Sequence, residues 1–240
     1  MKSAIAIIVA AGKGSRMQES IPKQYLEIHN KPILYHTILK FYLNPLISKI
    51  IAVIPSNDDK YYINNIISSI YKSLNNKKIL KKIEIVKGGS TRQNSVFNAL
   101  KKINNTQNIV LIHDGVRPFV KQIHITKCIQ TAVKYKASIL AIPASDTIKK
   151  AEQNEIFETL DRTNLWLAQT PQAFDYSLIL NAHKNAQDKG FDATDDSMLV
   201  EKIGQRVHIV KGDNLNIKIT TKEDLIIAKQ LFSIFYQDDL

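Results

Sequence analysis

Four apolar runs rich in β-branched residues divide the first half of the chain at regular intervals. They are Ile5–Ala10, Ile50–Ile54, Ile83–Val86 and Ile109–Ile112. A strand buried on both faces has this pattern, because neither set of alternating side chains meets water. Amphipathic stretches with apolar residues at helical spacing lie between the runs. Such alternation predicts the α/β class, with a parallel sheet and helices on both of its faces.

Residues typical of helix N-termini predict where several of the helices begin. Pro32 suits a first helical position, and apolar residues follow it at helical spacing as far as Phe41. Ser56-Asn57-Asp58 offers caps for a second helix, and Ser90 or Thr91 can cap a third. Thr220-Thr221-Lys222-Glu223 has the capping-box pattern and predicts the start of a C-terminal helix.

The pattern changes between Ile142 and Ala173, where no long helical period is present. We interpret the short apolar segments there as small strands of a projecting hairpin or arm. They are Thr147–Lys150, Ile156–Leu160 and Leu165–Ala168. Alternation resumes after this stretch, with a helix near Leu178–Ala186 and strands near Val207–Lys211 and Asn216–Thr220.

The composition is that of an ordinary globular protein. The chain has 240 residues, 44% of them apolar and 23% charged, and we expect one domain over 1–240. Neither a bilayer-spanning run nor a signal peptide is predicted, because the first apolar segment is too short. Cys128, the one cysteine, has no partner for an internal disulfide and fits a small buried core position in a reducing compartment.

The net charge of +11 has two competing explanations, a face for nucleic acid or a pocket that gathers cations around phosphates. Much of the excess is scattered in Lys-Lys pairs such as Lys77-Lys78 and Lys101-Lys102. Neither a basic stripe interleaved with aromatics nor a nucleic-acid module is recognisable in the sequence. We therefore interpret most of the charge as solvated surface and predict neither a nucleic-acid nor a membrane partner.

A glycine-rich turn, Ala10–Met17, directly follows the first predicted strand. Glycines there let the backbone approach a ligand, and free N–H groups can hold phosphate. A dinucleotide fingerprint would need a third glycine where Met17 stands, and in a P-loop Ser or Thr would follow Lys13. The glycines alone would also fit a plain structural turn. Arg16 and Lys23 in the same loop favour phosphoryl chemistry, in which negative charge spreads over phosphate oxygens.

Two further segments follow buried strands. In Ile112–Pro118, Asp114 is a candidate Mg²⁺ ligand and Arg117 a candidate phosphate clasp, although a salt bridge between these two would explain both. His113 is expected to plug the strand end, and no other histidine stands at zinc-ligand spacing. Lys87–Ser95 places two glycines before a capped helix, which suits close approach of a base or a phosphate. A simple loop-to-helix transition is its alternative reading.

Together these motifs resemble the nucleotidyltransferases that activate sugar phosphates. Further motifs narrow the resemblance to the 2-C-methyl-D-erythritol 4-phosphate cytidylyltransferase family of the non-mevalonate isoprenoid pathway. They are Asp146-Thr147, Asp161-Arg162 with Trp166, Gln169-Thr170-Pro171-Gln172, Thr194-Asp195-Asp196 and Asn216-Ile217-Lys218-Ile219-Thr220. The resemblance covers essentially the whole chain. It implies a Rossmann-like, three-layer, mostly parallel α/β fold of the nucleotide-diphospho-sugar transferase type.

The resemblance also implies roles around CTP. Arg16 and Lys23 match the residues that steady the α-phosphate, and Asp114 matches the ligand of Mg²⁺. The remaining nucleotide contacts are implied at Ala11, Gly12, Gly14 and Gly115 around the phosphates, and at Gly89, Ser90 and Ser95 around the cytosine. Ser90 departs from the family, because many relatives have an acidic residue there. So does Gly115-Val116, where pairs of small, alanine-like residues are usual.

On the substrate side, the resemblance implies that 2-C-methyl-D-erythritol 4-phosphate is held by Arg117, Thr170, Thr194 and Lys218. It further implies a homodimer in which an arm, 143–168, wraps the partner and helps complete its substrate site with Thr147 and Arg162. The expected location is the cytoplasm.

Three alternatives stay open at this point. A ribitol 5-phosphate cytidylyltransferase shares the nucleotide loops, and Asp161-Arg162 with Trp166 favours methylerythritol phosphate over it. A nucleic-acid-binding protein would show salt-sensitive binding and no pyrophosphate release. A catalytically silent dimeric relative is disfavoured because Arg16, Lys23, Asp114 and Lys218 are all present.

Overall fold

A computed structural model describes residues 3–12, 21–57, 61–74, 83–104 and 109–235. Its centre is a seven-stranded sheet made of β1 (Ala4–Val9), β4 (Ile47–Ile54), β5 (Ile83–Lys87), β6 (Ile109–Asp114), β7 (Ala137–Pro143), β10 (Trp166–Asp175) and β11 (His208–Lys211). The strands lie side by side in the order β11-β7-β10-β6-β1-β4-β5. β10 runs antiparallel to both of its neighbours, and the other pairings are parallel. The predicted mostly parallel sheet is therefore confirmed.

Four shorter strands form two hairpins outside this sheet. β2 (Glu27–Ile28) pairs with β3 (Lys31–Pro32), and β8 (Ile148–Glu152) pairs with β9 (Glu155–Leu160). The second hairpin falls within 143–168, the stretch in which the sequence predicts short strands. The third predicted arm segment, Leu165–Ala168, instead falls largely at the start of β10, because its backbone finds a partner in β7.

Helices cover both faces of the sheet. They are α1 (Ile33–Tyr42), α2 (Tyr61–Leu74), α3 (Arg92–Leu100), α4 (Gln122–Tyr135), α5 (Tyr176–Asp188), α6 (Asp196–Lys202) and α7 (Lys222–Phe235). Along β1, Ala6 and Ile8 face the core formed with α1, α2 and α4, whereas Ile5 and Ile7 face the core formed with α3, α5 and α6. This alternation explains the continuous apolar runs, since each strand supplies side chains to two hydrophobic cores.

Most predicted boundaries agree with the structure to within a few residues, and the exceptions have local causes. Pro32 lies one position before α1, so Ile33 is the first helical residue. The predicted strand Asn216–Thr220 is not a strand; it is held by side-chain bonds and by backbone bonds from Asn216 to Asp213 and from Ile219 to Val116. At the start of α7 the reciprocal capping pair is Thr221 with Asp224, one residue later than predicted. The predicted cap Asp58 lies outside the described residues.

The helix α7 closes a third, smaller core. Ile28, Ile33, Val116, Phe119 and Ile219 pack there, with Leu231 and Phe232 of the helix against them. This core holds the segment after β6 and the segment before α7 beside each other, which matters for the site below. No helix in the described part of the chain has the length and apolar composition needed to cross a bilayer.

Candidate active site

A cavity of about 760 Å³ opens at the edge of the sheet where β1, β4, β5 and β6 end. In open α/β sheets the carboxyl ends of the strands are the usual place for ligands. The described residues that line it come from four loops and from the segment before α7. They are Val9, Ala10, Ala11, Gly12, Lys23, Gln24, Pro55, Ser56, Asn57, Gly88, Gly89, Ser90, Thr91, Arg92, Ser95, Asp114, Val116 and Lys218.

Two glycines let these loops approach one another. A Cβ on Gly88 would lie 2.5 Å from Cβ of Ala11, and a Cβ on Gly115 would lie 3.0 Å from Cβ of Ala10. The backbones are also tied together, because Gly115 N donates to the carbonyl of Val9 over 2.8 Å. Any side chain at Gly88 would force the two loops apart, so the shape of the cavity depends on this residue.

The loop before α3 is held by its own hydroxyl groups. Thr91 Oγ1 accepts from Asn94 N at 3.0 Å and caps the helix, as predicted. Ser95 Oγ accepts from Gly89 N at 3.0 Å and donates to the carbonyl of Thr91 at 2.8 Å. The Ser95 hydroxyl is therefore engaged in shaping the loop that lines the cavity.

Asp114, at the end of β6, is surrounded by three cations. Its Oδ2 lies 3.0 Å from Lys218 Nζ and 3.4 Å from Arg117 Nε, and its Oδ1 lies 3.5 Å from Arg92 Nε. Burial alone would raise the pKa of Asp114, but the charges of Arg92, Lys218 and Arg117 outweigh it and hold the pKa far below its usual range. The carboxylate is thus ionised, and the cluster carries a positive excess that suits polyphosphate.

A hydrogen-bonded chain fixes the backbone of Asp114. Its N–H donates to Thr170 Oγ1 at 3.1 Å, and Thr170 contacts Nδ1 of His113 at 3.0 Å. Nε2 of His113 lies 3.0 Å from the carbonyl of Arg117, which can only accept, so Nε2 carries the hydrogen and Nδ1 accepts from Thr170. Burial lowers the pKa of His113 to about 4, which keeps this neutral arrangement at physiological pH. His113 therefore plugs the strand end, as predicted.

The cations opposite Asp114 are positioned from the segment before α7. Arg117 Nη1 donates to the carbonyl of Asn216 at 2.6 Å. The side chain of Asn216, fully buried, donates to Gln169 Oε1 at 3.2 Å and to the carbonyl of Thr170 at 2.9 Å. This polar clamp takes the place of the predicted strand and places Lys218 beside Asp114.

The structure brings most of the predicted site residues together. Those that line the cavity are Ala11, Gly12, Lys23, Gly89, Ser90, Ser95, Asp114 and Lys218. Gly115, Arg117 and Thr170 lie directly behind this lining, through the contacts given above. Thr147, Arg162 and Thr194 are exposed and, as the described residues define the cavity, lie outside it. Gly14 and Arg16 lie outside the described residues.

Arg92 is a site residue that the sequence reasoning did not single out. It is the first residue of α3, lines the cavity, and pairs with both Asp114 and Asp196. A signal was present, because a cation at a helix N-terminus is disfavoured by the helix dipole and so indicates an anionic partner.

Asp114 is the candidate metal ligand. A single carboxylate at a strand end fits Mg²⁺, which takes few protein oxygens and completes its shell with phosphates and water. Among the residues that the structure describes, Oδ1 of Asp114 has one long contact, to Arg92, which leaves lone pairs for such a cation. Within the described ranges, no group of three or more His, Cys, Asp or Glu side chains is placed to hold a metal.

Comparisons with known proteins agree with this geometry. The family model "2-C-methyl-D-erythritol 4-phosphate cytidylyltransferase" (IspD) matches residues 4–233. The enzyme of that name from Clostridioides difficile is 44% identical over 98% of this chain and 95% of its own length. Its counterpart from Clostridium kluyveri is 45% identical over 97% of each.

Solved structures of enzymes named for this activity are also similar to this chain. The crystal structure of 4-diphosphocytidyl-2C-methyl-D-erythritol synthase from Anaerococcus prevotii matches with a TM-score of 0.81 and 35% identity, covering 97% of this chain and 96% of that one. The Francisella tularensis cytidylyltransferase (IspD) matches with a TM-score of 0.77 and 35% identity over 95% and 99%. The chain therefore belongs to the 2-C-methyl-D-erythritol 4-phosphate cytidylyltransferase family and is a nucleotidyltransferase.

Proposed function

We propose that this chain transfers the CMP moiety of CTP to 2-C-methyl-D-erythritol 4-phosphate. The products are 4-diphosphocytidyl-2-C-methyl-D-erythritol and pyrophosphate. The observation that carries the proposal is the convergence of Lys23, Lys218 and Asp114 with two glycine loops on one cavity. Its volume of about 760 Å³ suits a nucleotide together with a small phosphate.

The reaction is an in-line displacement at phosphorus. An oxygen of the substrate phosphate forms a bond to the α-phosphorus of CTP, and the bond to the bridging oxygen of the leaving pyrophosphate breaks. A phosphate monoester is largely ionised near neutral pH, so no residue has to act as a general base. The protein's contribution is to position the two phosphates and to offset their charge.

Each cation has a proposed place in this step. Lys23 steadies the α-phosphate as its charge grows, together with Arg16 of the same loop. Lys218 and Arg117 hold the phosphate of the incoming alcohol. Both already meet an anion in the form of Asp114.

Asp114 is proposed to hold Mg²⁺. When bound there, the cation neutralises charge on the triphosphate of CTP. The residue itself is prepared for this by its low pKa and by the hydrogen bond that fixes its backbone.

The loop Gly88–Ser95 is proposed to receive the cytosine. Gly89 and Ser90 line the cavity, whereas the bonds of Ser95 hold the backbone of Gly89 in place. We therefore assign Ser95 an indirect role in base recognition.

The arm is proposed to make a homodimer. Ile156 and Phe157 of β9 are 63% and 64% exposed, and large apolar side chains in that position indicate a surface covered by a partner. Thr147 and Arg162 lie on the arm and outside the cavity of their own chain. We propose that they complete the substrate site of the partner subunit, and that the dimer works in the cytoplasm, where buried Cys128 stays reduced.

A pyrophosphate-release assay tests the reaction. The protein is incubated with CTP, Mg²⁺ and, separately, 2-C-methyl-D-erythritol 4-phosphate or ribitol 5-phosphate. We expect release with the first alcohol and little with the second. Preference for ribitol 5-phosphate would overturn the substrate assignment, and no release with any polyol phosphate would overturn the reaction.

Mixing two inactive variants tests the shared site. Lys23→Ala and Arg162→Ala are each expected to be nearly inactive. If Arg162 serves the partner's cavity, one site of every mixed dimer is intact, and an equal mixture after subunit exchange regains about a quarter of the wild-type activity. No recovery in a mixture shown to contain mixed dimers would place Arg162 in its own site.

A further inference from the structure

Arg92 is the cation of the site that two carboxylates share. Its Nη1 lies 2.7 Å from Oδ2 of Asp196, and its Nε lies 3.5 Å from Oδ1 of Asp114. The other two cations of the cluster, Arg117 and Lys218, contact Oδ2 of Asp114 instead. Among the described residues, Arg92 is thus the neighbour of the carboxylate oxygen that Arg117 and Lys218 do not contact.

Asp196 is built into the fold as an anchor for this arginine. Its side chain is 1% exposed, and its Oδ1 lies 3.2 Å from Nε2 of His183, which is also 1% exposed. An ionised carboxylate only accepts, so the His183 ring donates from Nε2. The backbone N–H of Asp196 donates to Gln172 Oε1 at 3.1 Å, which fixes the start of α6 against β10.

The two ends of this arrangement are far apart in the chain. Arg92 and Asp196 are 104 positions apart, and the pair joins the start of α3 to the start of α6. A buried carboxylate with a histidine behind it is costly to maintain without a partner. The partner of Asp196 is Arg92, so the buried pair of Asp196 and His183 holds a cation at the edge of the cavity.

We infer that Arg92 is a positioning residue for Asp114, aimed by Asp196 and His183, and that it fixes the carboxylate oxygen which receives Mg²⁺. The inference rests on the proposed function, since it takes Asp114 as the metal ligand. Arg92 restrains Oδ1 from one side while the guanidinium is held from the other. Without that restraint the carboxylate can turn toward Arg117 and Lys218.

Simple electrostatics predicts the opposite sign for this residue. A positive charge 3.5 Å from a metal ligand repels Mg²⁺, so removing the charge of Arg92 would strengthen the metal site if charge alone mattered, and Arg92→Lys, which keeps the charge, would leave it unchanged. If positioning dominates, Arg92→Lys lowers the affinity for Mg²⁺. Arg92→Lys therefore separates the two roles, and Asp196→Asn, which also removes a negative charge, is read only together with it.

Calorimetric titration of CTP into the complete protein, with and without Mg²⁺, measures this directly. The readout is the factor by which Mg²⁺ tightens CTP binding. Arg92→Lys keeps the charge but lacks the planar fork that bridges two carboxylates, and Asp196→Asn keeps the shape but loses the anchor. Partners of metal ligands are worth about tenfold or more in metal affinity, so we expect both variants to lower this factor about tenfold.

One control tests whether a loss of stability alone lowers the Mg²⁺ factor. Tyr176→Phe removes buried hydrogen bonds to Leu100 and Ile103 beside the same core, and should lower the melting temperature without changing the Mg²⁺ factor. An equal loss of the Mg²⁺ factor in Tyr176→Phe would reduce the effect at Arg92 to general destabilisation.

Asp114→Asn separates the inference from the proposed function. If Asp114→Asn leaves the Mg²⁺ factor unchanged, the metal assignment itself fails. If Asp114→Asn abolishes the factor while Arg92→Lys and Asp196→Asn preserve or increase it, the metal assignment stands and the positioning role of Arg92 is overturned.

Discussion

The cavity edge and the arm use charged residues in opposite ways. At the cavity edge Asp114 and Asp196 are almost completely buried, and each is held by several partners from distant parts of the chain. On the arm, the ion pair of Lys150 with Glu158 joins two side chains that are about half exposed and lie on adjacent strands. The first arrangement holds buried charges at fixed positions beside the cavity, and the second leaves its charges at the surface.

The two regions also differ in how the rest of the chain supports them. The cavity edge is supported by the sheet, two hydrophobic cores and a network of buried polar groups, so its geometry is set within one chain. The hairpin β8–β9 has no residue in any of the three hydrophobic cores. Its order and its function are expected to depend on a second subunit.

The largest expected effect is a difference in the free energy of unfolding between variants of two phenylalanines, one in the core and one on the arm. Phe174 of β10 is fully buried in the core beside the cavity, and Phe157 of the arm is 64% exposed. Phe174→Ala should lower the free energy of unfolding by about 3–5 kcal/mol, because it leaves a cavity in a packed core. Phe157→Ala should change that free energy by less than about 0.5 kcal/mol in the monomer.

Chemical denaturation of dilute protein measures both values. The milder Phe174→Leu serves as a control and should cost less than about 1.5 kcal/mol. A large loss for Phe157→Ala in the monomer would show that the arm packs within its own chain, and the comparison would fail.

Lys23 tests the chemistry of the cavity edge. Lys23→Ala should lower kcat by about two orders of magnitude or more, the scale of a lost oxyanion donor. The measurement is pyrophosphate release at saturating substrates. Lys31→Ala is the matched control, because Lys31 bonds to Ser69 and does not line the cavity. Near-normal turnover in Lys23→Ala would contradict the mechanism.

The pH dependence of stability should arise outside the arm, because residues 143–168 contain no histidine. Burial lowers the pKa of both His113 and His36 from 6.5 to about 4. Below pH 6.5 the unfolded chain takes up protons that the folded chain refuses. The stability present above pH 6.5 is therefore lost as the pH falls toward 4, by up to about 1.4 kcal/mol per pH unit for each histidine.

Denaturation midpoints measured between pH 4 and 7.5 check this slope. The variant His36→Gln, which can still donate to the carbonyl of Ile28, should show a slope smaller than that of wild type by up to about 1.4 kcal/mol per pH unit. The remaining slope comes from His113 and from His124, whose pKa burial also lowers. An unchanged slope would mean that other groups titrate in this window.

The smallest effect is expected on the arm. Lys150→Ala removes an exposed ion pair and should change the free energy of unfolding by less than about 0.5 kcal/mol. The same measurement at high salt should show no difference between variant and wild type, since salt screens such pairs. A loss above 1 kcal/mol, on the scale of a buried pair, would contradict the assignment of this hairpin to the surface.

Local sequence determined the layers of this protein. Runs such as Ile109–Ile112 have apolar residues at every position, and only a strand with a core on each side needs that. Thr91 and the glycines Gly88 and Gly115 fixed turns at the strand ends, because caps and close backbone approach depend on a few neighbouring residues. Asp114 could be predicted as a site residue for the same reason, since it directly follows a buried run.

Which charged side chains contact one another depends on the tertiary structure. Arg92 reaches Asp196 across 104 positions, and the clamp at Asn216 replaces a strand that the apolar pattern favoured. Spacing along the chain reports how a segment is exposed, but not which segment lies beside it. That depends on the order of the strands in the sheet, and hence on packing between residues that the sequence keeps far apart.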